Sequence, residues 1–490
     1  MSSFSNRVIR NDKRVYPVLG IIGIIVSLGI AYLIKELGLA GGAIPLVLMI
    51  GIPVLYGVIA YPRFGIIILI ISAFLLMWVY KFGWVNFPLG TLMDALQALL
   101  IIGFLIKQKY HSNWRVFRNP ITYMILIWIS YNLLEFFNPW AESRLAWLYT
   151  IRSVATIMLM YFIFTYSITS VKFIRIIVVV WLGLCLFAAL YAVRQEYWGL
   201  FPFEQRAVDA DPLLQSLLFI DGHLRKFSIF SDPVSFSYNM VVASALCIAL
   251  IWGPTSIFKK IMLLLMAALF LTTMFYAGTR AAYVLLPSAL MFFAILNLNR
   301  KILIYAGIAA VVITFFVFVP TSSPTLYRFQ SAFRPSADAS YNVRKINQKR
   351  MQPYIQSHPF GGGLGATGAW GVRFAPGSFL AQFPPDSGYM RVAAELGSIG
   401  LILLCTLVFI VLKTGIENFF AIKDPELKAY CLAMLLIIFI FHIGNFPQEA
   451  FVQYPSNVLF YLSIALINVT RRLDIEKQKE LAPPPIITVP

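Results

Sequence analysis

Long apolar runs alternate with short polar linkers over almost the whole chain. A run of about 18 to 22 apolar residues is long enough to cross roughly 30 Å of hydrocarbon as an α-helix. The pattern therefore predicts an all-α polytopic membrane protein, with a bundle of about 12–14 transmembrane helices. The fourteen candidate runs lie near residues 17–36, 43–61, 64–80, 88–106, 119–136, 150–168, 173–195, 230–252, 258–277, 281–298, 302–320, 397–413, 427–445 and 454–470.

Basic residues alternate between the linkers. Counted from the N-terminus, the even-numbered linkers are rich in Lys and Arg, and the short odd-numbered linkers are poor in them. Because cytoplasmic loops carry the excess of Lys and Arg, both termini are expected in the cytoplasm. The bases of the even-numbered linkers and of the tail are Arg63, Lys107, Lys109, Arg115, Arg118, Lys172, Arg175, Lys259, Lys260, Arg300, Lys301, Lys413, Lys423, Lys428, Arg471 and Arg472.

The two ends of the chain carry different signals. The basic N-terminal stretch SSFSNRVIRNDKR precedes an apolar run that is too long for the core of a signal peptide, so we expect a first anchor there. The C-terminal stretch LAPPPIITVP is rich in proline. We therefore expect one membrane domain over residues 1–470 and a cytoplasmic, disordered tail over residues 471–490.

Two long polar intervals fall on odd-numbered linkers and are therefore expected on the external side. The first runs from Glu196 to Lys226. The second, residues 321–396, begins with a basic segment, continues through the glycine run HPFGGGLGATGAWG and closes on PPDSGYMRVAAELGSIG. This pattern predicts one long extracytoplasmic loop and a functional site at the external membrane interface.

Composition agrees with a membrane protein and excludes some other classes. The chain has 490 residues, of which 60% are hydrophobic and only 12% charged, and its mean hydropathy is +0.79. The net charge of +18 is spread over many short loops, as expected for a membrane protein, and does not indicate nucleic-acid binding. The four cysteines all lie within apolar runs, and no metal-binding spacing of His or Cys occurs, so we expect no disulfide framework, no metal and no cofactor.

Several basic residues are expected on the external side despite the general bias against them. The guanidinium group of Arg matches a phosphate bidentately and its charge is permanent, so converging arginines would suit a pyrophosphate. The alternative is that each side chain only extends to the membrane interface or to lipid headgroups. The candidates for pyrophosphate binding are Arg225, Arg280, Arg344 and Arg350.

Two features of the long loop leave alternatives open. Lys345 and Lys349 would share one face of a helix, which would suit either substrate or anionic membrane lipids. The glycine run resembles a phosphate-binding loop but lacks the GK[ST] ending, so a flexible loop is the favoured interpretation.

The end of the long loop contains candidate catalytic chemistry. Asp386 is either a helix N-cap or a carboxylate that acts as general base for an acceptor hydroxyl. Tyr389 would share its helix face. Arg391 and Glu395 are spaced i,i+4 and are expected to form a structural ion pair.

Two charges are expected inside the membrane. Asp94 and Arg152 both lie within apolar runs, where an isolated charge is costly. We expect them to pair with each other, and contact with substrate is the alternative.

Three stretches carry a resemblance to the O-antigen ligase and polymerase family of bacterial envelope proteins. RKFSIFSDP resembles the family's Arg-small-Phe-Asn-Pro pattern, and AGTRAAY resembles its Thr/Ser-Arg motif at an outer helix end. HPFGGGLG and DSGYMRVAAELGSIG resemble its glycine-rich loop and its His-Asn-x-Tyr-Leu…Glu-x-Gly motif. The resemblance covers roughly residues 225–400.

The resemblance implies a function. Family members transfer a glycan from an undecaprenyl pyrophosphate carrier to an acceptor sugar, on lipid A core or on a second carrier-linked chain. They do so at the outer face of the bacterial inner membrane, by a metal-independent inverting reaction. It implies that Arg225 and Arg280 bind the pyrophosphate, with Arg280 also catalytic, and that the long loop is periplasmic.

This chain departs from the family pattern at three places. Asp386 and Ser387 stand where the family has His-Asn, Asp232 stands for Asn, and Ser228 stands for Gly. Asp386, or alternatively His358, would therefore take the proton of the acceptor. Two other functions stay open: a transporter or flippase of lipid-linked glycans, and a non-catalytic subunit of a polysaccharide export system.

Overall fold

The computed structural model describes residues 39–83, 89–220, 223–322, 324–334, 339–383 and 387–481, and short pieces between residues 27 and 36. The chain is almost entirely helical over these ranges. The helices are α1 Leu39–Ala60, α2 Pro62–Lys81, α3 Leu89–Tyr110, α4 Pro120–Leu134, α5 Arg144–Ser167, α6 Val171–Trp198, α7 Pro202–Asp209, α8 Pro212–Leu218, α9 Pro233–Trp252, α10 Ile257–Tyr276, α11 Arg280–Leu296, α12 Arg300–Phe318, α13 Pro324–Ala332, α14 Ala339–Ser357, α15 Gly368–Phe374, α16 Gly388–Ala421, α17 Pro425–Gly444 and α18 Ser456–Leu481.

Short elements complete the fold. Two 3₁₀ turns, Trp114–Phe117 and Glu135–Phe137, lie on either side of α4. Strands β1 (Phe219–Ile220) and β2 (His223–Leu224) form an antiparallel hairpin, in which Phe219 pairs with Leu224.

The fold class expected from the apolar pattern is confirmed. Ten of the described helices are long and apolar enough to cross a membrane, and two shorter apolar helices, Gly51–Ala60 and Arg280–Leu296, accompany them. Each of the fourteen predicted runs except 17–36 coincides with a described helix, and that first run lies largely outside the described residues.

Small polar residues begin many of the helices. The side chains of Asn119, Ser143 and Ser170 each accept a hydrogen bond from a backbone N–H in the first turn of the helix that follows. Asp232 and Asp424 do the same before α9 and α17, and each precedes a proline at the first helical position. These caps satisfy N–H groups that have no partner within the helix, which fixes where each span starts.

The centre of the bundle is formed by α9 and α17, which pack against each other and, through α17, against α18. About 78% of the apolar window of both α9 and α17 is buried inside the protein, against 11% for α12. Helix α12 therefore lies at the periphery, with its apolar surface directed outward.

The linkers meet in two groups at opposite ends of the helices. One group contains four segments that contact one another through the hydrogen bonds described below. These segments are residues 196–232, 277–279, 321–396 and 445–455. At the other end, the Arg63 side chain donates a hydrogen bond to the Ser167 carbonyl, and the Arg472 side chain donates one to the Thr165 carbonyl. Odd-numbered and even-numbered linkers thus separate as expected, and which end faces the cytoplasm stays a prediction.

Two expectations about irregular segments need correction. The interval 321–396 links α12 to α16 as one long segment, as expected, but it is not irregular, because α13, α14, α15 and the start of α16 lie within it. Helix α18 continues to Leu481, so the expected tail is not disordered from residue 471; its last nine residues, 482–490, lie outside the described residues. The helix persists because the buried Asp474 accepts hydrogen bonds from the backbone N–H groups of Lys423 and Asp424.

Candidate functional site

Arg225 connects separate segments at one end of the helix bundle. It follows β2, and its Nε donates to the carbonyl of Ala277 at 2.8 Å. Its Nη2 donates to the Thr279 hydroxyl at 3.0 Å, and its Nη1 donates to the Leu217 carbonyl at 3.2 Å. A guanidinium group has five N–H donors, so these bonds fix the plane of the group and leave donors for a ligand.

Arg328 is the base that sequence reasoning missed. It lies on α13 and donates from Nη2 to the Ile220 carbonyl of the β-hairpin at 2.7 Å. A Cβ atom at Gly278 would lie 2.8 Å from the Arg328 guanidinium and 3.9 Å from Nε of Arg225. Gly278, which has φ +57°, has no side chain, and the two arginines can therefore approach each other across this turn. The sequence signal for the turn was the position of Gly278 in the AGTRAAY motif.

The positive charge at this turn is concentrated. Burial, together with the like charges of Arg328 and Arg280, lowers the pKa of Arg225 from its ordinary value, and Asp232 opposes this shift. Arg280 begins α11 directly after Thr279 and is half-buried. Three guanidinium groups from distant parts of the chain thus share one region, and an anion bound there would offset their mutual repulsion.

The other two predicted pyrophosphate ligands lie on α14. Arg344 is half-buried and interacts electrostatically with Tyr238 of α9, whereas Arg350 is exposed. Lys345 and Lys349 are exposed as well. The described contacts with Arg225 thus come from Arg328 rather than from Arg344 or Arg350.

The departures from the family pattern in the RKFSIFSDP stretch have local explanations. Ser228 has φ +52, a left-handed conformation that favours glycine, and it is the non-glycine residue with positive φ among those described. Its backbone N–H donates to Gln195 and its hydroxyl donates to the Ala188 carbonyl, which compensate the strain. Asp232 caps α9 with bonds of 2.8 and 2.9 Å, a role that Asn fills equally well.

The start of α16 lies beside the segment that follows α17. Ser387 caps the helix, and Asp386, the other expected cap, lies outside the described residues. The backbone N–H of Gly388 donates to the Asn445 carbonyl at 3.0 Å, and a Cβ atom there would overlap the Asn445 side chain. The Tyr389 hydroxyl forms a hydrogen bond with Nδ1 of the His442 ring, and it donates to the backbone carbonyl of His442 at 3.1 Å.

Arg391 lies between two carboxylates. The expected pair with Glu395 is confirmed, with Nε and Oε1 at 3.2 Å. Its Nη1 also donates to Glu449 at 2.9 Å, a partner outside the helix that spacing along α16 could not reveal. Burial raises the pKa of Glu449, and the Glu395 charge adds to this, while Arg391 opposes it.

The glycine run is neither flexible nor open to a phosphate. Gly361, Gly363 and Gly365 are buried and have positive φ, and the backbone N–H of Gly365 donates to the Glu395 carboxylate at 3.0 Å. The Thr367 backbone N–H and hydroxyl bond the same carboxylate. The loop thus encloses the protein's own anion, which corrects the flexible-loop interpretation.

Close backbone contact explains why the run is rich in glycine. A Cβ atom at Gly361 would lie 2.5 Å from the Glu395 carbonyl, and one at Gly365 would lie 2.2 Å from the Thr150 hydroxyl. On the helix side, Gly397 has φ +68 and interrupts α16, and a Cβ atom there would lie 1.9 Å from the Pro359 carbonyl. The interruption lets the run pack against α16.

His358 lies at the entrance to the glycine run. Its ring stacks on Tyr354 at 4.1 Å, and Nδ1 lies 3.0 Å from the Tyr354 carbonyl and 2.8 Å from the Ser357 hydroxyl. The carbonyl can only accept, so Nδ1 carries the proton and Nε2 is the nitrogen left to act as a base. The His358 side chain is half-buried.

The expected membrane ion pair is present. Nε of Arg152 lies 3.1 Å from Oδ2 of Asp94, and the Arg152 side chain is 45% exposed, against 14% for Asp94. Gln97 donates to Tyr454 one turn further along α3. This polar group joins α3, α5 and the segment before α18, which favours a structural role.

Part of the chain is similar to a known protein family. Residues 265–405 match the model of the O-antigen ligase family, and this range includes Arg280, Arg328, the glycine run and Glu395. No curated protein matches the chain. The match agrees with the motifs: over residues 265–405 the chain is similar to the O-antigen ligase family, which supports glycan ligation or polymerisation at a membrane.

Proposed function

We propose that the protein is a glycosyltransferase that moves a glycan from a polyprenyl, specifically undecaprenyl, pyrophosphate carrier onto an acceptor sugar. The observation that carries this proposal is the convergence of Arg225, Arg280 and Arg328 at one end of the bundle. Three guanidinium groups from separate segments match a doubly charged leaving group better than one lipid phosphate.

The arginines would act on the leaving group. As the acceptor hydroxyl attacks the anomeric carbon, the bond from that carbon to the carrier phosphate breaks and negative charge grows on the pyrophosphate. Fixed guanidinium groups stabilise that charge without reorganisation, which supports a metal-independent reaction. Attack from the face opposite the leaving group inverts the anomeric centre.

A base must remove the proton of the acceptor hydroxyl. Asp386 immediately precedes the helix cap Ser387, in the position of the family's His-Asn pair, and we assign the role to it. His358 is the alternative, through Nε2. The acceptor is lipid A core in a ligase and a second carrier-linked chain in a polymerase.

The place of the reaction follows from charge. The arginine cluster lies at the end opposite to the basic residues Arg63 and Arg472. If the positive-inside rule holds, the cluster faces the periplasm of the bacterial inner membrane, and both termini are cytoplasmic. A lipid-linked glycan transporter would instead place its cations along a cavity at the membrane midplane.

One experiment tests the proposal. The purified chain is incubated in nanodiscs with carrier-linked repeat unit, alone and with lipid A core, and products are separated by size and by acceptor. Longer carrier-linked chains indicate a polymerase, and product on the core indicates a ligase. Absence of any new glycosidic bond from a folded protein would overturn the proposal in favour of a transporter or a non-catalytic export subunit.

Variants connect that assay to the site. Arg280→Ala should reduce transfer by at least about 100-fold, because it removes a donor to the developing charge. Arg300→Ala, exposed at the opposite end, is the matched control and should leave the rate unchanged. Asp386→Asn should reduce the rate by about 100-fold or more if Asp386 is the base, without loss of donor binding.

A further inference from the structure

The side-chain hydroxyl of Tyr283 has no hydrogen-bond partner in the part of the chain that the structure describes. Tyr283 lies on α11, one turn after Arg280, and only 2% of the residue is exposed. A buried hydroxyl without a partner is unfavourable, and most buried polar groups in proteins are hydrogen-bonded. This unpartnered hydroxyl therefore needs an explanation.

Two aromatic rings fix the side chain of Tyr283. Its ring stacks on Phe275 with the centroids 5.1 Å apart, and its centroid lies 5.7 Å from that of Phe329. Phe275 precedes Gly278 by three residues, and Phe329 directly follows Arg328. The phenol is therefore held between two of the segments that form the arginine cluster.

The charged groups that interact with this hydroxyl are cations. Tyr283 interacts electrostatically with Arg328, Arg225 and Arg280. A guanidinium group has N–H donors and no acceptor, so none of the three arginines can accept the phenol proton. Four donor groups thus lie together, and the proton of one of them has no acceptor.

A carboxylate that acts on the same cluster is used by its own segment. Asp232 interacts electrostatically with Arg225. Its oxygens accept hydrogen bonds from the backbone N–H groups of Val234 and Ser235 and from the hydroxyl groups of Ser231 and Ser235. These bonds hold the carboxylate at the start of α9. Excess donors around a missing acceptor are the arrangement that binds an oxyanion.

An anion reaches the phenol from the side of the arginines. Arg280 and Arg328 are half-buried, so part of each side chain lies at the protein surface. The phenol oxygen is itself covered by the protein. The two arginine side chains therefore have to turn toward an anion before the phenol can bond it, and attraction between opposite charges favours that movement.

We propose that Tyr283 donates its hydroxyl to a phosphate oxygen of the carrier pyrophosphate, beside the three arginines. The inference rests on the proposed function, because it adds a fourth donor to the leaving group of that reaction. The proton stays on the phenol, and the phenol forms no covalent bond. An O–H donor to a charged oxygen makes a short, strong hydrogen bond, which strengthens further as charge grows on the leaving pyrophosphate.

Tyr283→Phe tests this role, because it removes the hydroxyl and keeps the ring between Phe275 and Phe329. The full chain in phosphatidylcholine nanodiscs is titrated with farnesyl pyrophosphate, and affinity is measured by calorimetry. Tyr283→Phe should weaken binding by about 10-fold, because a hydrogen bond to a charged group is lost. Tyr327→Phe is the matched control: Tyr327 precedes Arg328 on α13, is 64% exposed and should not affect binding.

Thermal unfolding separates this role from a structural one. Because the hydroxyl has no partner within the described protein, Tyr283→Phe should unfold at the wild-type temperature or above it. Unchanged affinity for farnesyl pyrophosphate would overturn the inference. Unchanged affinity together with a lower unfolding temperature would overturn it as well, since the hydroxyl would then support the fold alone.

A second probe tests which anion the site takes. Farnesyl monophosphate carries one phosphate, so it should bind the wild-type chain at least about 10-fold more weakly than farnesyl pyrophosphate. Equal affinities for the two probes would overturn the assignment to pyrophosphate. The cluster would then recognise a single phosphate, such as that of a lipid headgroup.

The two proposals fail separately. If Tyr283→Phe binds farnesyl pyrophosphate as tightly as the wild-type chain and transfers glycan at the same rate, Tyr283 is not a donor and the transferase stands. If Tyr283→Phe weakens pyrophosphate binding but the wild-type chain forms no glycosidic bond with any acceptor, the anion site stands and the transferase fails.

Discussion

The carboxylate of Glu395 accepts a hydrogen bond of 3.0 Å from the backbone N–H of Gly365, thirty residues earlier in the chain. The same carboxylate is paired with Arg391, which lies one turn before it on α16. This contact joins the glycine run, the membrane helix and the Arg391–Glu449 pair into one buried polar unit.

We expect Glu395→Gln to destabilise the protein by about 2–4 kcal/mol. An amide cannot satisfy Gly365, Thr367 and Arg391 together, and the neutral side chain leaves Arg391 with Glu449 alone. Thermal unfolding in detergent and protease cleavage within residues 357–383 measure the effect. Glu417→Gln, in an exposed pair with Lys413 on the same helix, is the control and should change stability little. A wild-type unfolding profile for Glu395→Gln would contradict this role.

Arg328→Ala should lower transfer about as much as Arg280→Ala, by at least about 100-fold. The reason is that Arg328 shares the Gly278 turn with Arg225 and contributes to the same positive region. Rates at saturating acceptor, with donor varied, measure the effect, and Arg328→Lys should recover part of it because the charge is kept. The exposed Arg334, just past the end of α13, provides the control through Arg334→Ala. If Arg334→Ala lowered transfer as much as Arg328→Ala, the effect would come from general surface charge and not from the Gly278 turn.

Ser228→Gly should change the free energy of unfolding by less than about 1 kcal/mol. Relief of the positive φ roughly offsets loss of the hydroxyl bond to the Ala188 carbonyl. Ser228→Ala loses the bond and keeps the strain, so it should be less stable than Ser228→Gly by about 1 kcal/mol. Denaturant titration in mixed micelles compares the two, and the reverse order would mean that backbone strain at Ser228 is unimportant.

Asp94 and Arg152 should show coupling of at least about 0.5 kcal/mol in a double-mutant cycle. Asp94→Asn leaves a cation in the membrane bundle and Arg152→Gln leaves an anion, whereas the double variant leaves neither. Unfolding free energies of the four proteins give the coupling. Transfer activity should follow stability; a large loss of activity in a stable variant would favour substrate contact.

The orientation of the chain can be tested by labelling. In a Cys405→Ser background, Val372→Cys should react with a membrane-impermeant maleimide in cells with a permeable outer membrane, because Val372 is 54% exposed at the arginine end. Lys423→Cys, at the other end, should react only after lysis. If Lys423→Cys reacted in intact cells and Val372→Cys reacted only after lysis, the topology would be the reverse of the one proposed, with the arginine cluster in the cytoplasm.

The glycine run shows where sequence reasoning failed. Its composition was read as flexibility, yet its glycines are required by backbone contacts with α5 and α16 that are remote in sequence. Arg328 escaped notice for a related reason: no local spacing links it to Arg225, and the turn at Gly278 brings them together.

The sequence by itself determined the helical membrane fold, the separation of linkers into two groups, the Arg391–Glu395 pair and the similarity of residues 265–405 to O-antigen ligases. These follow from apolar run length, linker charge and spacing within one helix, all of which are local properties of the chain. Only the tertiary structure decided which arginines converge, that Glu395 fills the glycine run, and that Glu449 completes the Arg391 pair. Each of these depends on contacts between segments far apart in the chain, and such contacts are set by how the helices pack rather than by any local pattern.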